Sequence, residues 1–170
     1  KRYEELLPET AVSLITIGCP QASIGELRAT AELLKGKQLD PTAPPLWVFT
    51  SSANKAIAER IGLADIITQS GALLLENTCP EVVPYDQSWV HHVLTNSMKA
   101  EHYIKSGLNG IPTAVMRLAD CIALATGEME SEDWKLKNEP STPPLTPSTA
   151  PPLTPSHSKK QAVTATFTAA

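Results

Sequence analysis

The sequence predicts an α/β domain: a mainly parallel β-sheet of about five strands flanked by helices, followed by a disordered C-terminal tail. Three observations carry that reading. Short apolar, β-branched runs alternate with segments of helical period across residues 1–127. The connections between them are short, as right-handed βαβ units require. The prolines are uneven: of 15 in all, seven lie between Pro140 and Pro155. Aromatic residues make up only 5% of the chain, so the core must be aliphatic.

The elements follow in order. AVSLITI (11–17) is a continuous apolar run, as in a strand buried on both faces. ASIGELRATAELLKG (22–36) has Ile24, Leu27, Ala31, Leu33 and Leu34 at helical spacing. Ser23 and Glu26 suit a capping box, and Gly36 is a stop. PLWVFT (45–50) is a second strand, and a helix follows from a Ser52 cap to about Ile61. A short helix ends at Gly71, and ALLLEN (72–77) is a third strand. SWVHHVLTN (88–96) reads as a fourth strand, with His91 and His92 inside it as structural residues. SMKAEHYIKSG (97–107) is a helix with a glycine stop, on which Glu101 and Lys105 form a solvated i,i+4 pair. IPTAVMR (111–117) and LADCIALATG (118–127) supply a fifth strand and a last helix. Sheet order is not legible.

From residue 128 the chain turns charged and then Pro/Ser/Thr-rich, with PPLTPS repeated at 143–148 and 151–156. Proline on that scale blocks helix and central strand, so 128–170 is expected to be a disordered tail. It is read as inert, or as a docking or phosphorylation segment at Thr146-Pro147 and Thr154-Pro155. The chain opens on KRYEELLPE without Met, which reads as a fragment entering a domain. A net charge of −4 argues against a nucleic-acid or anionic-membrane surface. No apolar run approaches the length of a membrane span. Three cysteines, with no secretory signal, argue for a reducing, cytoplasmic setting.

In a parallel α/β sheet, ligands bind beyond the carboxyl ends of the strands. The strands are followed in turn by Gly18-Cys19-Pro20, Thr50-Ser51-Ser52, Asn77-Thr78-Cys79-Pro80, Thr95-Asn96-Ser97 with Lys99 and His102, and Asp120-Cys121. All three cysteines are therefore expected on one edge of the sheet. Such a set suits an iron–sulfur cluster or a soft metal. It equally suits small buried side chains in tight turns, or a nucleophile. No CxxC pair decides between these. Thr95-Asn96-Ser97 is a helix cap or an anion site, since helix N-terminal amides and Lys99 both favour negative charge. No GxGxxG, GxxxxGK[ST] or GxSxG occurs, so nucleotide and serine-hydrolase readings lose their usual support.

At these junctions the chain resembles the aconitase X family. The residues that carry the resemblance are IGCPQASIGEL (17–27), ENTCPEVVP (76–84) and TNSMKAEHYIKSGL (95–108), followed by the Asp120-Cys121 step. The family comprises iron–sulfur hydro-lyases: cis-3-hydroxy-L-proline dehydratases and mevalonate 5-phosphate dehydratases, each combining a large and a small subunit or fusing the two. The resemblance implies the C-terminal portion of the large-subunit region. It implies Cys19 and Cys79 as cluster ligands, with Cys121 as candidate third ligand and the cluster type open. It implies a small carboxylate substrate lined by Thr95, Asn96, Ser97, Lys99 and His102, with cis-3-hydroxy-L-proline favoured. The general base would come from a small swivelling subunit or domain outside this chain, so a fragment lacking it should be inactive alone. One departure is Gln21, where the family is expected to carry His; glutamine can hydrogen-bond but cannot transfer a proton. The alternative is a non-catalytic α/β binding module with a Pro-rich docking tail.

Overall fold

The computed structural model describes residues 12–129. The predicted tail beyond Met129 and the opening KRYEELLPE lie outside the described residues. Ten elements follow in chain order: β1 (Leu14–Ala22), α1 (Ile24–Leu34), β2 (Leu46–Thr50), α2 (Ser52–Arg60), α3 (Leu63–Gln69), β3 (Leu73–Glu76), β4 (Val93–Thr95), α4 (Met98–Ser106), β5 (Thr113–Val115) and α5 (Leu118–Ala125). The strands form one five-stranded sheet in the order β3-β2-β1-β4-β5. Every pairing is parallel. The α/β class and parallel sheet expected from the alternating periods are therefore borne out.

The strand order shows how the chain is wound. It leaves the central β1, runs outward through β2 to β3, then crosses back to β4 on the other side of β1 and out to β5. The direction of winding reverses between β1 and β4, and a crevice forms at the carboxyl ends where it does. Residue alternation along β1 divides the core accordingly. Ile15 and Ile17 point into a cluster with Leu27 and Leu34 of α1, Ile67 of α3 and Cys121 and Ile122 of α5. Leu14 points the other way, toward Ala100 and Ile104 of α4 with Tyr85, Val90 and Val93. Each fully buried Leu or Ile contributes about 1.5–3 kcal/mol relative to exposure, so this two-sided aliphatic burial holds β1 between the layers.

The helix caps follow the sequence closely. Ser23 Oγ accepts from the Glu26 amide at 3.2 Å, and the Ser23 amide donates to Glu26 Oε2 at 2.9 Å, completing the capping box. The cap of α2 is Ser51 rather than Ser52: Ser51 Oγ accepts from the Asn54 amide at 3.1 Å. Glu101, expected on a solvated face, is buried, with Lys105 at 3.8 Å from its carboxylate.

Three differences have physical causes. The fourth strand is short, Val93–Thr95, and 88–92 is not strand. Asp86 turns the chain there, its carbonyl accepting from the amides of Trp89 and Val90. The amides of His91 and His92 are taken by the Ser13 hydroxyl instead of a sheet partner. Second, packing continues past residue 127. Met129 is buried in the aliphatic core and Glu128 pairs with Lys37 at 2.8 Å.

The third difference is the most consequential. β1 does not stop at Ile17 but continues to Ala22, with an irregularity on the way. Ile17 pairs with Val48 and Ala22 with Thr50, so residues 18–21 bulge out opposite a single residue of β2. Gly18 starts the bulge at φ +92°, a conformation L side chains rarely adopt. A Cβ there would collide with the Phe49 carbonyl oxygen and lie 2.9 Å from the Ala22 amide nitrogen. The Thr50 hydroxyl and the Asn54 side-chain amide both donate to the Ala22 carbonyl, at 2.8 and 3.0 Å, closing the bulge.

A Gly18→Ala variant meets both a forbidden φ and a backbone clash, and is expected to lose at least about 2 kcal/mol of stability. Urea unfolding should show a lower midpoint at unchanged slope; an unchanged midpoint would refute the close approach of β1 and β2.

Candidate functional site

The crevice between β1 and β4 collects residues from three segments. The bulge supplies Cys19, followed by a cis bond to Pro20. The connection after β3 supplies Cys79 and Glu81. The start of α4 supplies Ser97 and Lys99. Cys19 is half-buried, and its thiol donates to Glu81 Oε1 at 2.9 Å. The same oxygen lies 3.5 Å from Lys99 Nζ. Burial pushes the Cys19 thiol up from an ordinary value of 9.0 to about 11, and the Glu81 carboxylate adds to the rise. The Ser97 hydroxyl and the Lys99 ammonium oppose it.

The segment 77–87 has no regular secondary structure, so side chains hold it. Asn77 turns the chain out of β3 at φ 56°, and its side-chain oxygen accepts from the Ser52 amide at 3.1 Å. The Cys79 carbonyl accepts from the amides of Val82 and Val83. The Tyr85 hydroxyl donates to the Pro80 carbonyl at 2.7 Å. Buried Asn109, on the connection after α4, donates to the carbonyls of Val83 (3.0 Å) and Glu81 (3.5 Å) and accepts from the Tyr85 amide at 3.1 Å. Its own carbonyl accepts from Gln87 Nε2 at 2.8 Å. Burial raises the Tyr85 phenol far above its usual value, and the thiols of Cys79 and Cys19 add to that. Gln21 reaches the Thr78 carbonyl at 3.5 Å from the bulge.

At the β4–α4 junction, Thr95 is buried and its hydroxyl accepts from the Ser97 amide at 3.3 Å. Ser97 caps α4, its Oγ accepting from the Ala100 amide at 3.3 Å. Asn96 Oδ1 is buried and has no hydrogen-bond partner. A buried acceptor without a donor is costly, which sets Asn96 apart from the satisfied groups around it. Lys99 extends back over the Tyr103 ring, with Nζ 5.7 Å from the centroid. His102 is exposed and stacks edge-on against Tyr103, centroids 5.0 Å apart.

Cys121 does not join this group, contrary to the expectation that all three thiols share one edge. It sits one turn into α5, fully buried in the cluster with Ile15 and Ile17, whereas Cys19 packs against the cluster on the opposite side of the sheet. The cause is the handedness of the crossovers: α4 covers one face, and α5, following β5, returns to the other. Burial drives the Cys121 thiol far above its ordinary value. Among the described residues no group of three His, Cys, Asp or Glu side chains could hold a metal ion.

Residues 12–127 match the family model for the aconitase X third domain. This chain belongs to the aconitase X family. The resemblance read from the motifs at 17–27, 76–84 and 95–108 is borne out. The chain is 43% identical over 93 residues to the phosphomevalonate dehydratase large subunit of Methanocaldococcus jannaschii, covering 55% of this chain and 22% of that protein. It is 32% identical over 117 residues to the cis-3-hydroxy-L-proline dehydratase of Hypocrea jecorina, covering 67% and 19%. The crystal structure of Thermococcus kodakaraensis aconitase X in its holo-form superposes with a TM-score of 0.63 at 31% identity, covering 73% of this chain and 31% of that one. The chain thus spans between about a fifth and a third of these relatives. Among the described residues no helix is long and apolar enough to cross a membrane.

Glu81, Tyr85 and Asn109 were not singled out in the sequence. Glu81 lies inside the ENTCPEVVP motif, two residues after Cys79, and that adjacency is its only signal. Asn109, in GLNG, reads as a turn residue.

Two predictions follow from the geometry. Alkylation of native Cys19 should rise through a midpoint near pH 11, and Glu81→Gln should lower that midpoint, because the carboxylate favours the protonated thiol; peptide mass spectrometry reads both. Since the unfolded thiol ionises first, the native state holds the extra proton between about pH 9 and 11, so this contribution to stability falls as pH rises through that window. Asn109→Ala strands a buried amide and two carbonyls and should cost about 1–3 kcal/mol, with faster amide exchange in residues 79–87. Unchanged exchange there would remove Asn109 from its role as a clamp.

Proposed function

We propose that this chain is the C-terminal portion of the large-subunit region of an iron–sulfur hydro-lyase that dehydrates a small hydroxy-carboxylate, working with the remaining large-subunit region and a small swivelling subunit or domain in a reducing, cytoplasmic setting. The observation that carries the reading is the gathering of Cys19, Cys79, Ser97 and Lys99 at the crevice where the winding reverses, beside the partnerless Asn96 acceptor. The folded unit is the aconitase-like domain, and the Pro-rich segment beyond Met129 takes no part in the chemistry.

Cys19 and Cys79 would hold the cluster together with a ligand from outside this chain. When bound, a cluster with one iron free of thiolate supplies a Lewis acid for the departing hydroxyl. This chain's own residues bind and orient. The amides opening α4, with Ser97 and the Lys99 ammonium, hold the substrate's anionic group. Asn96 Oδ1 accepts from an O–H or N–H of the substrate, and the buried Thr95 fixes the junction that presents it. His102 borders the same helix end. Gln21 contributes a hydrogen bond to the ligand loop and no proton transfer, so the base that takes the proton beside the carboxylate comes from the swivelling partner.

Both family substrates offer a carboxylate and a leaving hydroxyl. The chemistry of the crevice suits either, and the higher identity to the phosphomevalonate dehydratase large subunit supports mevalonate 5-phosphate as the first substrate to assay, with cis-3-hydroxy-L-proline second.

The test is anaerobic reconstitution, with iron and sulfide, of this chain joined to the remaining large-subunit region and the small subunit. The expected outcome is charge-transfer absorbance and dehydration of one of the two substrates. Cys19→Ser with Cys79→Ser should abolish both, and Lys99→Met should raise KM about tenfold or more, the loss of one charge-assisted contact. A colourless protein that binds no iron would overturn the proposal.

A further inference from the structure

We propose that Glu81 is a positioning residue for substrate recognition: it holds the Lys99 ammonium over the opening of α4, where the anionic group of the substrate is to be received. The inference rests on the reading of Lys99 as a substrate-binding residue and assigns to Glu81 a role that neither motif nor spacing indicates.

The two partners differ in freedom. Lys99 has a long flexible stem, and its side chain is 51% exposed. Left alone, such a side chain samples many rotamers and presents no fixed charge. Glu81 is 16% exposed and comes from a fixed backbone. The turn made by the Cys79 carbonyl with the amides of Val82 and Val83 sets the segment's path. Asn109 grips the Glu81 and Val83 carbonyls, and Tyr85 grips Pro80. The rigid member of the pair therefore orients the flexible one.

Glu81 Oε1 faces Lys99 Nζ at 3.5 Å. The same oxygen accepts from the Cys19 thiol at 2.9 Å while that thiol carries its proton; with Cys19 ligating as a thiolate, Lys99 is the partner that remains to it. On its other side the ammonium lies 5.7 Å from the Tyr103 ring centroid, a second, weaker restraint. Tyr103 and Lys99 stand four residues apart on α4, so the ring cannot draw the amine toward the crevice; among the described residues Glu81 is the carboxylate that pairs with it from across the gap. An isolated surface ion pair would contribute little. Here the pair's value is direction, because a charge already aimed loses less freedom when the substrate arrives.

The test compares Glu81→Gln, Lys99→Met and the double variant in the reconstituted complex, with iron content measured alongside. Glu81→Gln should raise KM about tenfold while kcat changes less than threefold and iron content stays constant. In the Lys99→Met background the same substitution should leave KM unchanged. An equal KM effect in both backgrounds, or loss of iron in Glu81→Gln, overturns the proposal. A second readout needs no turnover. After reductive methylation with 13C-formaldehyde, the dimethyl-Lys99 signal, assigned by its absence in Lys99→Arg, should be distinct from the solvent-exposed lysines and should merge with them in Glu81→Gln. A Lys99 signal unmoved by Glu81→Gln overturns the proposal. Should the complex dehydrate neither substrate, the functional reading fails, while the Lys99 signal still decides the role of Glu81.

Discussion

The space between Gly18 and the Phe49 carbonyl admits no side chain, and the rest of the site depends on that contact. Because the backbone can turn there at positive φ, β1 leaves register with β2 and then rejoins it at Ala22. The residues pushed out include Cys19 and Gln21. Had β1 simply ended at Ile17, the thiol would have hung on a free loop. Instead it is held at both ends by the central strand of the sheet, whose residues from Leu14 to Gly18 are all buried. Rigidity at the thiol is thus borrowed from the aliphatic core, through a single glycine and a carbonyl capped by Thr50 and Asn54.

Much of this architecture was legible because local signals and the global fold agree. The apolar runs, the Ser23–Glu26 box and the glycine stops all point to elements that form. The fourth strand was over-extended because Ser88–His92 carries residues that suit a strand, while the decisive competitor, the Ser13 hydroxyl, lies far off in the chain. Sheet order could not be read, since it depends on which strand edges meet. Position after a strand predicts all three thiols on one edge of the sheet, and Cys121 departs from that expectation. Cys121 shared that sequence signature but enters one turn into a helix whose buried face points to the other layer. Position after a strand specifies the edge of a sheet, and helix phase then decides the face.

The residues that hold the crevice together were the least legible. Glu81 and Asn109 act through side-chain contacts to distant segments, and such contacts leave no periodicity. Their effect is nonetheless large, because the segment that carries Cys79 has no sheet or helix hydrogen bonds of its own. Several of its backbone groups are satisfied by the Asn109 and Tyr85 side chains, and losing Asn109 leaves three of them stranded. The separation of the thiols onto two faces also gives them different chemistry. Cys19 is half-exposed beside a lysine and a serine, whereas Cys121 behaves as a small hydrophobe in the core.

The Asn109 clamp has a consequence for how such a site can be moved or altered. The segment from Cys79 to Gln87 is anchored to the connection between α4 and β5, not to the strand that precedes it. Grafting the motif around Cys79 onto another parallel sheet would carry the thiol without its mooring. Conversely, lengthening or shortening the turn after α4 would shift Cys79 and Glu81 together, though neither is near it in sequence. The unit that an engineer must keep whole is therefore discontinuous: a bulge, a loop and one amide from a turn more than twenty residues downstream.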